Sequence, residues 1–167
     1  MSFLNGVSAG GLLLPFENFR PLFDYKSTDL YIAPENIPEI VKTADELLDT
    51  EIPMLTASLY REFELNGNRT HYEEPYFLRK RMMFAFAFAE YATHSGKYMH
   101  KLIDLVWDTL NMPSWGVPAH TSSNTAVRPE GMRILQLPCD YKDETSCIDL
   151  FSASMGAQLS VIWFLLK

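Results

Sequence analysis

Cysteine is scarce in this sequence. Cys139 and Cys147 are the only two, and neither belongs to a Cys-x-x-Cys or Cys/His spacing. That excludes a zinc site of the usual pattern and implies no metal. The pair could close a disulfide, but two reduced thiols are the simpler reading and point to the cytoplasm. Cations are short as well: 14 Lys and Arg stand against 21 Asp and Glu, a net charge of −7. Such a chain has no excess of cations to displace phosphate counterions, which argues against a nonspecific nucleic-acid binder. No Ser-His-Asp pattern and no Gly-rich phosphate loop occurs, so no cofactor is implied. No cation precedes the mildly apolar residues 7–14, the first being Arg20, so a signal peptide is not expected. The apolar run from Ile148 to Leu166 contains Ser152, Ser154, Gln158 and Ser160. It reads as a buried helix rather than a membrane span.

What the chain does have is bulk. Of its 167 residues, 47% are hydrophobic and 13% aromatic, enough for one domain with a sizeable core. Residues 1–35 are rich in Gly, Pro and aromatics, and Pro15, Pro21 and Pro34 interrupt any long helix. They read as an irregular arm, with a helical domain over 36–167. Apolar spacing predicts a helix from about Ile37 to Leu48. A second begins with Pro53 in its first turn and ends at Asn66-Gly67-Asn68. A third starts near Glu73-Glu74-Pro75, where acidic residues meet the positive end of the helix dipole. It carries two stripes, Leu78/Met82/Ala85/Phe86/Ala89 and Phe77/Phe84/Phe88/Tyr91, and stops at Gly96. The fourth, Lys97 to Asn111, should turn Met99, Leu102, Ile103, Val106 and Leu110 one way. A loop of about thirty residues follows from Pro113, long enough to be functional or disordered. A fifth helix, about Cys147 to Lys167, is apolar nearly all round and should be buried. No strand pattern is convincing. The expected fold is all-α, with antiparallel helical hairpins forming part of an (α/α) toroid. An apolar last helix with nothing after it suggests a piece of a longer protein and predicts self-association.

Three segments carry a resemblance, in one order. LYREFELNGNRTHYEEPYFLRKRMMFAFAFAE has an Asn-Gly-Asn-Arg turn before a helix containing Tyr and Phe. GKYMHKLIDLVWDTLNMPSWGVPAH has Ile-Asp-Leu, then a Trp, then Trp-x-x-Pro-Ala-His. IDLFSASMGAQLSVIWFLL is the last. Together, over about residues 53–166, they resemble the heparinase II/III-like polysaccharide lyases. The resemblance implies an N-terminal (α/α) toroid followed by β-rich domains, here absent, and an acidic polysaccharide or oligosaccharide as partner. Such enzymes cleave uronic-acid polymers by β-elimination, using a base and an acid, typically Tyr and His. The family's catalytic residues lie beyond the matched segments, so the chain alone is expected to be inactive. A glycoside hydrolase of the same toroid fold, and a helical scaffold or carbohydrate-binding domain, are the alternatives.

The candidate substrate-binding residues are His120, Trp115, Arg69, Tyr72 and Asn68. His120 could hydrogen-bond a sugar or a uronate carboxylate, or else pin the long loop. Trp115 could stack on a pyranose ring or plug the core. Arg69 could grip a carboxylate at two points beside Asn68 and Tyr72, or pair with Glu73 or Glu74 in a helix-joining turn. Asn124 and Arg128 could reach substrate from the long loop. Asp104 and Asp108, four apart, read as a solvated helix face rather than a catalytic pair.

Overall fold

The computed structural model describes residues 32–121 and 149–167. From Glu35 on, these belong to one compact unit, Glu35–Lys167. The expected arm, apart from its last four residues, lies outside the described residues. Among the described residues there is no strand, and the fold is all-α.

After a single 3-10 turn, Pro34–Asn36, helix α1 runs Ile37–Leu48, with the bounds its apolar period predicts. Its end is met from outside: the Lys101 ammonium donates to the carbonyl of Leu48, the last helical residue, and to that of Thr50 just beyond. A cation there complements the negative end of the helix. Helix α2 runs Ala57–Asn66. Pro53 lies before it in a non-helical run, not in its first turn. The start is set instead by Thr56, whose hydroxyl accepts from the Leu59 N–H at 3.2 Å. Gly67 ends the helix at φ +79°, a left-handed conformation that glycine adopts without steric cost.

Helix α3, Thr70–Thr93, is the longest among the described residues. It begins earlier than Glu73, and Pro75 therefore lies inside it. The Asn68 side chain accepts from the His71 N–H at 3.1 Å, which supplies the start that the acidic pair was expected to give. An interior proline costs about 3 kcal/mol through a lost hydrogen bond and a clash. Tyr72 and Tyr76, buried on either side of it, hold the helix through that point. α3 ends at His94, and Gly96 follows at φ +73°.

Helix α4 runs Met99–Leu110, α5 is the short Pro118–Thr121, and α6 runs Leu150–Leu166. α1, α2, α4 and α6 all pack on α3, which makes α3 the hub of the unit. Its inward residues include Tyr72, Tyr76, Met82, Met83, Phe86, Ala87 and Ala89. α4 returns antiparallel to α3. Tyr98 stacks on Phe86, the Thr109 hydroxyl contacts the Met83 sulfur, and Asp108 pairs with Arg79. α6 runs beside α3 in the same sense. Phe151 touches Tyr76 and Phe77, Ser154 accepts from Lys80, and Gln158 donates to the Lys80 carbonyl.

Two expected faces differ. On α4 the buried residues are Leu102, Leu105 and Thr109, while Ile103 and Leu110 are exposed. α6 buries one side, Met155, Gln158, Ile162 and Leu165, and leaves Leu150 and Trp163 in solvent. Two charged groups sit in the α3 seam. Arg79 is 5% exposed, and burial pulls its pKa down while Asp108 and Tyr72 oppose the pull. Glu90, also 5% exposed, accepts from the Gly96 N–H at 2.6 Å and the Tyr98 N–H at 3.4 Å. A buried carboxylate thus holds the turn between α3 and α4.

Candidate functional site

The described residues on either side of positions 122–148 meet at one place. Asp149 caps α6: its Oδ1 accepts the Ser152 N–H at 2.8 Å and the Ser152 hydroxyl at 3.2 Å. An Asp just before an apolar run is a helix-start signal, so this part of the site is open to sequence reading. The other carboxylate oxygen lies 2.9 Å from His120 Nδ1. The His120 ring sits edge-on to Phe151 with centroids 4.6 Å apart. Phe151 in turn meets Tyr76, whose hydroxyl donates to the Trp115 carbonyl at 2.8 Å. Trp115 Nε1 donates to the Thr109 carbonyl at 2.8 Å, which closes the end of α4. Gly116 is packed so closely that a Cβ there would stand 3.3 Å from Asp149 Oδ1.

His120 and Trp115 therefore lie in one neighbourhood, joined through Phe151 and Tyr76. His120 pins the start of the long segment to α6, and Trp115 spans from the end of α4 to Gly156 on α6. Neither Asp149 nor Tyr76 was singled out from sequence. In the sequence Asp149 is one acid before an apolar run and Tyr76 one aromatic among many.

Asn68, Arg69 and Tyr72 occupy the turn between α2 and α3. Asn68 contacts His71 Nε2 at 3.4 Å, and Arg69 Nε donates to Glu73 at 2.7 Å. Tyr72 is 4% exposed, its ring edge-on to Tyr60 at 5.0 Å and stacked near Tyr76 at 6.2 Å. A line of rings thus runs Tyr60, Tyr72, Tyr76, Phe151, His120 and connects the two groups of residues. Asn124, Arg128, Cys139 and Cys147 lie outside the described residues.

Electrostatics follow from this packing. Burial pushes the Tyr72 phenol up to about 12, with Tyr60 adding to the shift and Arg79 opposing it. Burial raises Tyr76 further, helped by Tyr72 and the Asp149 charge. Burial would also raise Asp149, but hydrogen bonds from the Ser152 backbone and from His120 outweigh it and hold this carboxyl below its usual value. A carboxyl lowered in the folded state adds stability above its unfolded pKa of about 3.9, and that contribution fades as pH falls through the folded value. Asp149→Asn keeps a capping oxygen and removes the charge. Its expected cost is about 1 kcal/mol at neutral pH, shrinking as acid protonates the wild-type group. Urea denaturation of both proteins across the acidic range checks this; a gap that stays constant with pH would contradict it.

Among the described residues, no cluster of three or more His, Cys, Asp or Glu could hold a metal ion, and no helix is long and apolar enough to cross a membrane. No family model matches the chain, and no curated protein matches it closely enough to count as a relative.

Proposed function

We propose that this chain is the N-terminal helical part of a heparinase II/III-like polysaccharide lyase. In this reading it forms a portion of an (α/α) toroid, helps to grip a uronic-acid polysaccharide, and leaves β-elimination to residues outside it. One observation carries the reading. The three segments that resemble the family converge on a single place. Tyr76 of the first donates to the Trp115 carbonyl of the second, and His120 of the second pairs with Asp149 of the third. The antiparallel pairing of α3 with α4 is the kind of hairpin from which such toroids are built.

The phenols support the division of labour. A Tyr that moves a proton works best with a pKa near the working pH and with access to substrate. Tyr72, Tyr76 and Tyr98 are each 4% exposed or less. Burial, with a hydrogen bond to Asp45, pushes Tyr98 up to about 12. These three are built to pack. The polar rim formed by His120 and Asp149 is the better place to meet sugar hydroxyls.

The test pairs two readouts on the chain as it stands. Titration with uronic-acid oligosaccharides is expected to perturb the Trp115 and His120 NMR signals. Prolonged incubation with the polymer is expected to yield no unsaturated uronate ends by ultraviolet absorbance. Absence of any binding at millimolar oligosaccharide would overturn the substrate reading. Formation of unsaturated ends would overturn the claim that the chemistry lies elsewhere.

A further inference from the structure

The outward side of α4 carries an apolar stripe among polar residues. Ile103, Trp107 and Leu110 are 54%, 69% and 60% exposed. Their spacing of four and then three puts them on one stripe, about 10 Å long at the helical rise. The opposite face of the same helix is locked. Leu102, Leu105 and Thr109 are buried, the Thr109 hydroxyl donates to the Leu105 carbonyl, and Trp115 Nε1 donates to the Thr109 carbonyl. The three side chains are thus presented by a rigid element, which lowers the ordering cost of binding. Exposed apolar anchors at i, i+4 and i+7 are how helices recognise one another, and Trp is the residue type most enriched among binding hot spots.

Charge narrows the occupant. The charged side chains on the exposed part of α4 are Asp104 and Asp108; Lys101 turns to the end of α1. Asp108 reaches Arg79 at 3.2 Å, and Asp104 stands exposed beside the stripe. A second copy of this chain, itself at −7, would bring the same acidic border and a like overall charge to the contact. A cationic border would be attracted instead.

We infer that the Ile103/Trp107/Leu110 face of α4 docks an amphipathic helix of another protein whose apolar stripe is bordered by Lys or Arg. The inference stands apart from the lyase reading, since it uses neither His120 nor Trp115 as a sugar contact.

The probe is a short synthetic Leu/Lys peptide of helical spacing, titrated calorimetrically onto the full chain beside a Leu/Glu peptide of the same pattern. The Lys peptide is expected to bind at least about tenfold more tightly than the Glu peptide, more so at low salt. Trp107→Ala should weaken it about tenfold or more, and Asp104→Lys should narrow the preference for the cationic peptide. Trp163→Ala removes a Trp that is equally exposed but on α6, and should change nothing. Trp107 and Trp163 are both in solvent, so circular dichroism should show both variants folded. The inference fails if neither peptide binds, or if the two Trp variants behave alike. A Trp107-dependent dimer of the wild-type chain in sedimentation would also overturn it, by assigning the face to a second copy.

Discussion

Phe86→Ala is expected to lower the free energy of unfolding by about 3–5 kcal/mol, the usual cost of emptying a fully buried aromatic site. Phe86 has no exposed surface and lies in the middle of α3. Its ring stacks on Tyr98 at 6.0 Å with planes 14° apart, which couples the hub helix to the entry of α4. Removing it leaves a cavity lined by elements that cannot all collapse inward, because α3 is held from several sides. Phe77 is the natural control. It lies on the same helix but is 41% exposed, with contacts to Tyr76 and Phe151. Phe77→Ala should cost about 1 kcal/mol, in line with the smaller area it withdraws from water. Urea denaturation followed by far-ultraviolet circular dichroism reads both; similar costs for the two substitutions would contradict the placement of the core.

The second large effect concerns a charge. Glu90→Ala should cost about 3 kcal/mol, because it strands the Gly96 and Tyr98 N–H groups in a turn where the carboxylate is their partner. Glu90→Gln keeps one accepting oxygen and should cost about half as much. Hydrogen exchange gives an independent reading. In Glu90→Ala the amides of Gly96 and Tyr98 should lose protection ahead of the rest of α3. Unchanged protection there, with a small stability loss, would mean that the turn closes without the carboxylate.

Much of the helical order was legible in the sequence, and the errors share a cause. α1 was readable to its bounds because its apolar residues fall on one face and nothing competes with them. The end of α2 was readable because Gly67 serves a conformation that few other residues accept. The start of α3 was not, because Pro75 and two acids look like a beginning while the bond from the His71 N–H to the Asn68 side chain depends on geometry. On α4 two helical registers were available. The apolar spacing places Leu102 inward, as observed, but it also draws in Ile103 and Leu110 where the buried face is completed by Leu105 and Thr109. Hydrophobicity alone cannot separate them, since Thr109 becomes a core residue only by bonding to the Leu105 carbonyl. Glu90 is hidden for a like reason: an acid in an apolar helix reads as exposed until its partners are known. The candidate site was half legible. The place of His120 and Trp115 after a helix end marks them in the sequence, but their link through Tyr76, Phe151 and Asp149 spans separations of 29 and 39 residues that no local pattern reveals.

The position of α3 at the hub has a consequence for how the chain is made. Its contacts with the α3–α4 turn close over 6 to 8 residues, as at Glu90 with Gly96 and Tyr98. Those with α6 close over 74 to 78, as at Lys80 with Ser154 and Gln158. Loop-closure entropy grows with the logarithm of length, so first contact with α6 is disfavoured by about 2 kcal/mol relative to the turn. On a ribosome the same order is imposed by time, since α1 to α4 have all been synthesised before Asn111 while α6 is still unmade. Among the described elements, the hub therefore meets α1, α2 and α4 before α6 has been made, and the side of α3 that receives Gln158 waits for α6 to emerge.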